Sequence, residues 1–233
     1  MGGIPVLRPT AQVRGGASIA LRAAGPHFVS RAGEKLDTAL DRFGVEVSGK
    51  TWLDAGASTG GFTDRLLKGG ASRVLAVDVG YGQLDWALRT DERVALLERT
   101  NVRHLRPSDI PFEIDGVVAD LSFISLRVVL PALVAVARPT ANFLLLVKPQ
   151  FELERGTVGR GGVVRDPGSW RRAVASVARA AESLSLETVD ATAARPPGPA
   201  GNREFFLWLR RAALPDCSRA DAAIERAVSE ASS

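Results

Sequence analysis

Short apolar runs alternate with amphipathic stretches along this chain of 233 residues. The runs predict strands, and the stretches, which repeat apolar residues every three or four positions, predict helices. We expect strands near 51–54, 73–78, 94–98, 115–121, 142–148, 186–193 and 204–211. We expect a helix that opens within 30–35 and is capped by Gly44, and others near 61–69, 83–89, 125–137, 168–184 and 218–229. This alternation predicts an α/β fold with a mainly parallel, doubly wound sheet.

The link between the last two predicted strands, residues 195–202, is rich in proline and glycine. It is too short for the crossover helix that parallel strands need, so we expect these two strands to be antiparallel. Residues 1–29 show little periodicity. Within them, 4–7 and 17–21 predict two short strands of an extended arm or hairpin.

The turn after the first predicted strand is the most informative stretch of the chain. It reads Asp54-Ala-Gly-Ala-Ser-Thr-Gly-Gly-Phe-Thr63, and its glycines permit positive φ and a close approach of ligand to backbone. A phosphate-binding loop would place Lys and then Ser or Thr after its last glycine, and a dinucleotide loop would read G-x-G-x-x-G. Neither pattern is present in this turn. The D-x-G-x-x-x-G-G spacing instead resembles the first motif of class I S-adenosylmethionine methyltransferases.

A second acidic residue strengthens the interpretation of the glycine turn. Asp78 ends the next predicted strand, Arg73-Val-Leu-Ala-Val-Asp78, about 20 residues further on. A carboxylate at this place can accept two hydrogen bonds from a ribose diol. Either feature alone also fits an ordinary turn or a surface acid, but together they favour a nucleoside site.

Four ionisable residues stand at the ends of predicted elements: Lys35, Asp120, Lys148 and Glu204. In an open α/β sheet the carboxyl ends of the parallel strands line the ligand crevice. Asp120 and Lys148 follow such strands, and Glu204 begins the antiparallel strand at the same edge. We therefore expect these side chains to face the glycine turn.

A Lys-Asp-Lys-Glu group suits methyl transfer to a ribose 2′-hydroxyl, which is a poor nucleophile until a base takes its proton. A partly desolvated lysine beside a second cation can lose its proton and accept another, so Lys148 is the predicted acceptor. Asp120 and Glu204 would orient the two lysines. Each residue alone also fits a salt bridge at a sheet edge, so the prediction depends on all four occurring together.

Composition limits the kinds of protein that this chain can be. It has a formal charge of +4, and only four of its 30 basic residues are lysines, which permits a polyanionic partner. No apolar run has the length of a membrane span. One cysteine and two histidines argue against disulfides and a structural metal, and they suggest a reducing, cytoplasmic compartment.

Longer motifs resemble the TlyA (hemolysin A) family of FtsJ-like ribose methyltransferases. The resemblance spans about residues 30–211 and is carried by Ser30-Arg-Ala-Gly-Glu-Lys35-Leu, the glycine turn, Val77-Asp-Val-Gly-Tyr-Gly-Gln-Leu84, Glu98-Arg-Thr-Asn101, Ala119-Asp-Leu-Ser-Phe-Ile-Ser-Leu126, Val147-Lys-Pro-Gln-Phe-Glu152 and Gly198-Pro-Ala-Gly-Asn-Arg-Glu204. It implies a seven-stranded class I sheet with an antiparallel last strand. It also implies transfer of methyl to cytidine ribose in ribosomal RNA, with ribosomal RNA or ribosomal subunits as the partner.

The resemblance also assigns roles to residues. Lys35, Asp120, Lys148 and Glu204 match the catalytic tetrad that is proposed for the family. The S-adenosylmethionine site would be formed by Asp54, Gly56, Ala57, Ser58, Thr59, Gly60, Gly61, Phe62, Asp78, Val79, Thr100, Asn101 and Asp120. No metal is implied.

The chain departs from the family at its start. Family members carry a small N-terminal RNA-binding domain, whereas here about 29 residues precede the core. We divide the chain into an arm that resembles the tail of that domain (1–29), a methyltransferase domain (30–212) and a C-terminal helix or tail (213–233). Two other functions stay open: a methyltransferase for a small biosynthetic molecule, and a non-catalytic RNA- or ribosome-binding protein. An adenine N-methyltransferase fits less well, because Asp120-Leu-Ser-Phe123 lacks the prolines of that motif.

Overall fold

The computed structural model describes residues 28–154, 158–198, 201–214 and 216–232. The strands are β1 (Thr51–Ala55), β2 (Arg73–Val77), β3 (Val94–Leu97), β4 (Ile114–Ala119), β5 (Ala137–Val147), β6 (Leu186–Ala193) and β7 (Phe205–Arg211). The helices are α1 (Ala32–Phe43), α2 (Gly61–Lys68), α3 (Trp86–Arg89), α4 (Leu126–Val136), α5 (Pro149–Glu152), α6 (Pro167–Glu182) and α7 (Cys217–Ser232). The two short strands predicted within 1–29 lie outside the described residues.

The seven strands form one sheet in the order β3-β2-β1-β4-β5-β7-β6. Strands β1 to β5 pair in parallel, and β7 lies antiparallel between β5 and β6. The predicted doubly wound, mostly parallel seven-stranded sheet with an antiparallel last strand is thus confirmed. The sheet order places the carboxyl ends of β1, β4 and β5 side by side, and these are the ends that carry the predicted site residues.

Two predicted boundaries were wrong. Strand β5 begins at Ala137 rather than near 142, because Ala137 pairs with Ile114 before an irregularity in the β4–β5 register. Helix α3 begins at Trp86 rather than near 83, because the Asp85 side chain accepts a hydrogen bond from the Ala87 amide and caps the helix there. Neither shift moves a predicted site residue.

Successive side chains of each central strand pack alternately into two separate cores, as expected for a sheet that is covered on both faces. Leu53 and Leu75 pack in the core beneath α4, α6 and α7, whereas Trp52 and Val74 pack in the core beneath α1 and α2. Helix α7 contributes Ala223, Ile224, Ala227 and Val228 to the first core, so it is part of the same packed body. Within the described residues, no helix is long and apolar enough to span a bilayer.

Candidate active site

The glycine turn leaves the end of β1 and bends back over the end of β2. The amides of Gly56 and Ala57 both donate to the Val77 carbonyl, at 2.8 and 3.2 Å. Gly56 and Gly60 have φ values of 89° and 98°, which side-chain-bearing residues rarely adopt. A Cβ on Gly56 would lie 2.6 Å from the Asp120 carbonyl oxygen. Glycine is therefore required here by packing between two strand ends, and not only by the approach of a ligand.

Asp54 lies beneath this turn, fully buried in β1. Its Oδ2 accepts a hydrogen bond of 2.7 Å from the Thr63 hydroxyl, while its Oδ1 is buried without a partner among the described residues. Burial raises the pKa of Asp54 to about 7, against the lowering effect of the Thr63 hydrogen bond, and the nearby Asp120 raises it further. Asp54 therefore supports the turn from below rather than lining the pocket above it.

Asp78 ties the glycine turn to the end of β2. Its Oδ2 accepts from the Ser58 amide at 2.8 Å, and its Oδ1 accepts from the Gly80 amide at 2.7 Å. Each carboxylate oxygen has two lone-pair sites, so acceptor capacity remains for a ribose diol. The Asp78 carbonyl also accepts from the Thr100 amide at 2.9 Å, which brings the predicted 100–101 turn beside it. In that turn Asn101 Oδ1 accepts from the Arg103 amide, so its side chain caps a short 3₁₀ turn.

Lys148 and Asp120 form an ion pair at the ends of the neighbouring strands β4 and β5. The Nζ atom of Lys148 lies 2.5 Å from Asp120 Oδ1 and donates to the Ser122 hydroxyl at 3.0 Å. These two charged side chains keep 11% and 16% of their exposure, so the pair is shielded but reachable.

Lys35 and Glu204 form a second ion pair, 2.7 Å long, between the first turn of α1 and the start of β7. This pair is more deeply buried, with 9% and 3% of the side chains exposed. Gly198 packs against it, since a Cβ there would lie 2.6 Å from Glu204 Oε1. The structure thus arranges the four predicted residues as two separate pairs.

A pocket of about 160 Å³ opens where the glycine turn meets the Lys148–Asp120 pair. Its lining comprises Ser30, Ala32, Gly56, Ala57, Ser58, Thr59, Phe62, Asp120, Ser122 and Lys148. Ordinary ligand pockets measure roughly 300–1,000 Å³, so a nucleoside-sized ligand would extend beyond this one. Several predicted cofactor residues lie outside the lining: Asp54, Gly60, Gly61, Asp78, Val79, Thr100 and Asn101. Of these, Gly61 packs against Ser30 and Ala32, and Val79 is exposed.

The charges around the pocket fit a cationic ligand better than a phosphate. Asp120 and Asp78 each raise the pKa of the buried Asp54, so both of these carboxylates lie near the glycine turn. Lys148 compensates only one of them directly. S-adenosylmethionine carries a sulfonium and an ammonium group, and such positive charges are stabilised beside carboxylates. Within the described residues, no cluster of His, Cys, Asp and Glu could hold a metal ion.

Sequence reasoning missed three residues that hold this site together. Glu152 is buried and accepts from the Ser125 hydroxyl at 2.5 Å and from the Leu126 amide at 2.7 Å, which joins the segment after Lys148 to the loop after Asp120. Asn202 is buried and accepts from the Val164 amide at 2.9 Å. Ser122 contacts Lys148 directly. All three occur in motifs quoted above, but sequence alone does not indicate which motif residues touch.

Comparisons with known proteins identify the family to which this chain belongs. The family described as FtsJ-like methyltransferase matches residues 28–211 of this chain. This chain belongs to the FtsJ-like methyltransferase family. The resemblance that the motifs indicated is therefore confirmed at the level of the family.

Individual relatives of this FtsJ-like methyltransferase are similar over most of its length. The 16S/23S rRNA (cytidine-2′-O)-methyltransferase TlyA of Mycobacterium tuberculosis (strain ATCC 25618 / H37Rv) is 52% identical over 209 residues, which are 89% of this chain and 78% of that protein. A crystal structure of a candidate hemolysin from Lactococcus lactis matches with a TM-score of 0.82 and 37% identity, covering 90% of this chain and 100% of that one. An S-adenosylmethionine-dependent methyltransferase from Mesorhizobium loti, at 16% identity and a TM-score of 0.58, covers 78% of this chain and 100% of its own and shares the fold.

Proposed function

We propose that this chain transfers a methyl group from S-adenosylmethionine to the 2′-hydroxyl of a cytidine in ribosomal RNA. Membership of the FtsJ-like methyltransferase family and 52% identity to a relative named for cytidine 2′-O-methylation of 16S and 23S rRNA support this proposal. The observation that carries it is the position of Lys148. Its Nζ atom lies at the wall of the same pocket that the glycine turn lines, 2.5 Å from Asp120.

Lys148 is the proton acceptor in this proposal. When bound, S-adenosylmethionine supplies an electrophilic methyl group on a positively charged sulfur. Lys148 lies at the wall of the same pocket. It takes the proton of the ribose hydroxyl as the new oxygen–carbon bond forms, and Asp120 stabilises the resulting ammonium group. General base catalysis of this kind contributes about 10²–10⁴-fold.

Asp78 and the glycine turn would hold the cofactor. The lone-pair sites of Asp78 that the Ser58 and Gly80 amides leave free would accept the ribose diol. Ser58 and Thr59 are exposed on the pocket side of the turn, where their backbone can approach the ligand. The remaining predicted cofactor residues would support the residues that line the pocket or would contact the cofactor from the surface beside it.

Lys35 and Glu204 have an orienting role in this proposal. Their pair joins α1 to β7, and α1 also carries Ala32, which lines the pocket. A buried pair in good geometry fixes the relative position of the elements that carry it, even where it adds little stability. We therefore assign to it the placement of α1 over the pocket rather than proton transfer.

An exposed aromatic ring directly follows Ser122, the residue that contacts Lys148, and we place the base of the acceptor nucleotide against this ring. Phe123 is 91% exposed and has a φ of 63°, a value that is strained for a bulky residue. Its ring contacts that of Phe151 with centroids 5.1 Å apart. Aromatic faces held out in this way suit stacking with an unpaired base. This ring favours a nucleotide over a small biosynthetic acceptor.

The partner and the compartment follow from the same proposal. A ribosomal RNA acceptor places the chain in the cytoplasm, in agreement with its single cysteine. The division into 1–29, 30–212 and 213–233 stays a prediction.

Methylation of isolated ribosomal subunits tests the proposal directly. Purified protein and labelled S-adenosylmethionine are incubated with 30S subunits, 50S subunits and free nucleosides, and the modified position is mapped by mass spectrometry. We expect a 2′-O-methylcytidine in at least one subunit and a strongly reduced yield with Lys148→Ala. Transfer only to a small hydroxylated molecule would assign the chain to the biosynthetic alternative. Cofactor binding without any transfer would favour the non-catalytic one.

A further inference from the structure

Ser122 is the second residue that contacts the Lys148 amino group. Its hydroxyl accepts a hydrogen bond of 3.0 Å from Nζ, while Asp120 approaches the same atom at 2.5 Å. Ser122 lines the pocket and is exposed, whereas Asp120 is mostly covered. The lysine nitrogen therefore has two partners in the pocket wall, a mostly covered carboxylate and an exposed hydroxyl.

An ion pair and a hydrogen bond together define the position of a lysine nitrogen better than the ion pair alone. Lysine carries its amino group as a point charge on a flexible stem with many rotamers. A single carboxylate leaves such a group free to swing around it. A hydroxyl on a second side limits this motion. The free position on the nitrogen can then point at the ribose oxygen that receives the methyl group.

The loop that carries Ser122 is itself held in place. The Asp120 amide donates to the Ala55 carbonyl at 3.1 Å, and Gly56 packs against the Asp120 carbonyl. At the other end of the loop, buried Glu152 accepts from Ser125 and Leu126. Ser122 thus stands on a short segment that is fixed on both sides, which allows its hydroxyl to act as a fixed reference point.

We propose that Ser122 is a positioning residue for methyl transfer and acts through Lys148. It keeps the Lys148 nitrogen aligned for the proton of the acceptor hydroxyl, and it takes no part in binding the cofactor. The inference rests on the proposed function, because it concerns the rate of the step that Lys148 serves.

Three variants test this role. In Ser122→Ala the hydroxyl that accepts from Lys148 is lost. We expect kcat to fall by about 10- to 100-fold, as for one hydrogen bond to a charged group. The KM for ribosomal subunits and the cofactor affinity measured by calorimetry should stay unchanged. Ser122→Thr keeps a hydroxyl and should recover most of kcat. Ser108→Ala, an exposed serine outside the pocket, is the matched control and should behave as wild type.

The lysine amino groups offer a readout that does not depend on activity. The chain has only four lysines, so ¹H–¹⁵N spectra of the amino groups are simple to assign. We expect the Lys148 signal to shift and broaden in Ser122→Ala and to return in Ser122→Thr. The Lys35 signal reports on the separate pair with Glu204, and it should stay constant in all variants.

The proposal is overturned if Ser122→Ala keeps the wild-type kcat or leaves the Lys148 signal unchanged. It is also overturned if the variant loses cofactor affinity or Ser122→Thr fails to recover kcat, since Ser122 would then act on the pocket as a whole. Wild-type transfer to ribosomal subunits is measured first. A failure of the proposed function is therefore seen before any Ser122 variant is compared.

Discussion

The two lysine–carboxylate pairs of this methyltransferase have similar lengths and different surroundings. Lys35 and Glu204 lie 2.7 Å apart with 9% and 3% of their side chains exposed, and neither lines the pocket. Lys148 and Asp120 lie 2.5 Å apart, are somewhat more exposed and form part of the pocket wall. The same chemical pair is thus placed once inside the protein and once where a ligand can reach it.

This difference indicates a division of labour within the predicted tetrad. A pair that does not line the pocket is not placed to exchange a proton with a ligand bound there, but it can hold two elements in register. A pair at the pocket wall can do both, and it has Ser122 as a further partner. Motif spacing alone treats all four residues alike, so the contrast between the two pairs is visible only in the structure.

The largest expected effect comes from removing the amine at the pocket wall. Lys148→Ala should lower the rate of transfer to ribosomal subunits by about 10²–10⁴-fold, because the proton acceptor is gone. Lys148→Arg should be nearly as inactive, since guanidinium does not deprotonate in proteins. The rate is measured by transfer of labelled methyl, with cofactor affinity by calorimetry as the check on folding.

Lys50→Ala provides the matched control, because among the described residues Lys50 forms its ion pair with Glu46 at the surface, at 3.7 Å. It should keep full activity. An active Lys148→Arg variant would show that positive charge alone suffices, and the proton-acceptor role would have to be abandoned.

The buried pair should show its importance in stability. Lys35→Met leaves the Glu204 carboxylate buried without its cation, and breaking a buried pair in this way costs about 3–5 kcal/mol. Asp120→Asn should cost less, because Lys148 lies at the pocket wall where water can reach it. The free energy of unfolding is measured by urea titration. Equal losses in the two variants would contradict the contrast between the pairs.

A double variant sharpens the same comparison. Lys35→Met with Glu204→Gln removes both charges, and it should be more stable than Lys35→Met alone, since no uncompensated charge remains. The rate of methyl transfer by the double variant should nevertheless be well below that of the wild type if the pair fixes α1 over the pocket. Full activity would mean that the pair has no orienting role.

Much of this arrangement could be predicted from the sequence because charges end its apolar runs. Asp120 and Lys148 each follow a run of buried residues, so their place at the sheet edge was evident. The tertiary contacts could not be predicted in this way. The five residues that begin β5, Ala137 to Ala141, include a proline and an arginine and join the strand only through pairing with Ile114. Glu152, which accepts from Ser125 and Leu126, lies in a four-residue helix that is too short to show helical periodicity in the sequence.

Asp54 extends the comparison to a buried acid that has no lysine partner. Burial raises its pKa to about 7, above the ordinary value of 3.8, so the folded protein holds this proton more tightly than the unfolded chain does. Its contribution therefore favours folding at low pH and is lost as the pH rises from about 4 to 7. In Asp54→Asn this dependence should disappear.

The size of the Asp54 effect is bounded by the difference in pKa. At 1.36 kcal/mol for each pKa unit, the loss is at most about 4 kcal/mol. Urea unfolding of wild type and Asp54→Asn at pH 5 and pH 8 measures the part of this loss that falls between the two pH values, as the change in the stability difference between the two proteins. Parallel pH profiles would show that Asp54 titrates near its ordinary pKa and that its burial has little energetic consequence.

Asp78 should give the smallest effect, because backbone amides already satisfy part of its carboxylate. Asp78→Ala should weaken cofactor binding by about 1.5–3 kcal/mol, the value of a hydrogen bond to a charged group. Calorimetry measures this loss, and Asp41→Ala on the exposed face of α1 is the control that should bind normally. Asp78 also anchors Ser58 and Gly80, however, so weaker binding alone does not identify a contact with the ribose.

A double-mutant cycle between protein and ligand separates these two roles of Asp78. S-adenosylhomocysteine and its 2′-deoxy analogue are each bound to wild type and to Asp78→Ala. If the carboxylate accepts a hydrogen bond from the diol, the deoxy analogue loses affinity in wild type but little more in the variant, which gives a coupling energy above about 0.5 kcal/mol. If Asp78 acts only through the glycine turn, both ligands weaken equally and the coupling is zero. The second result would remove Asp78 from direct contact and leave Ser58 and its neighbours as the determinants of cofactor binding.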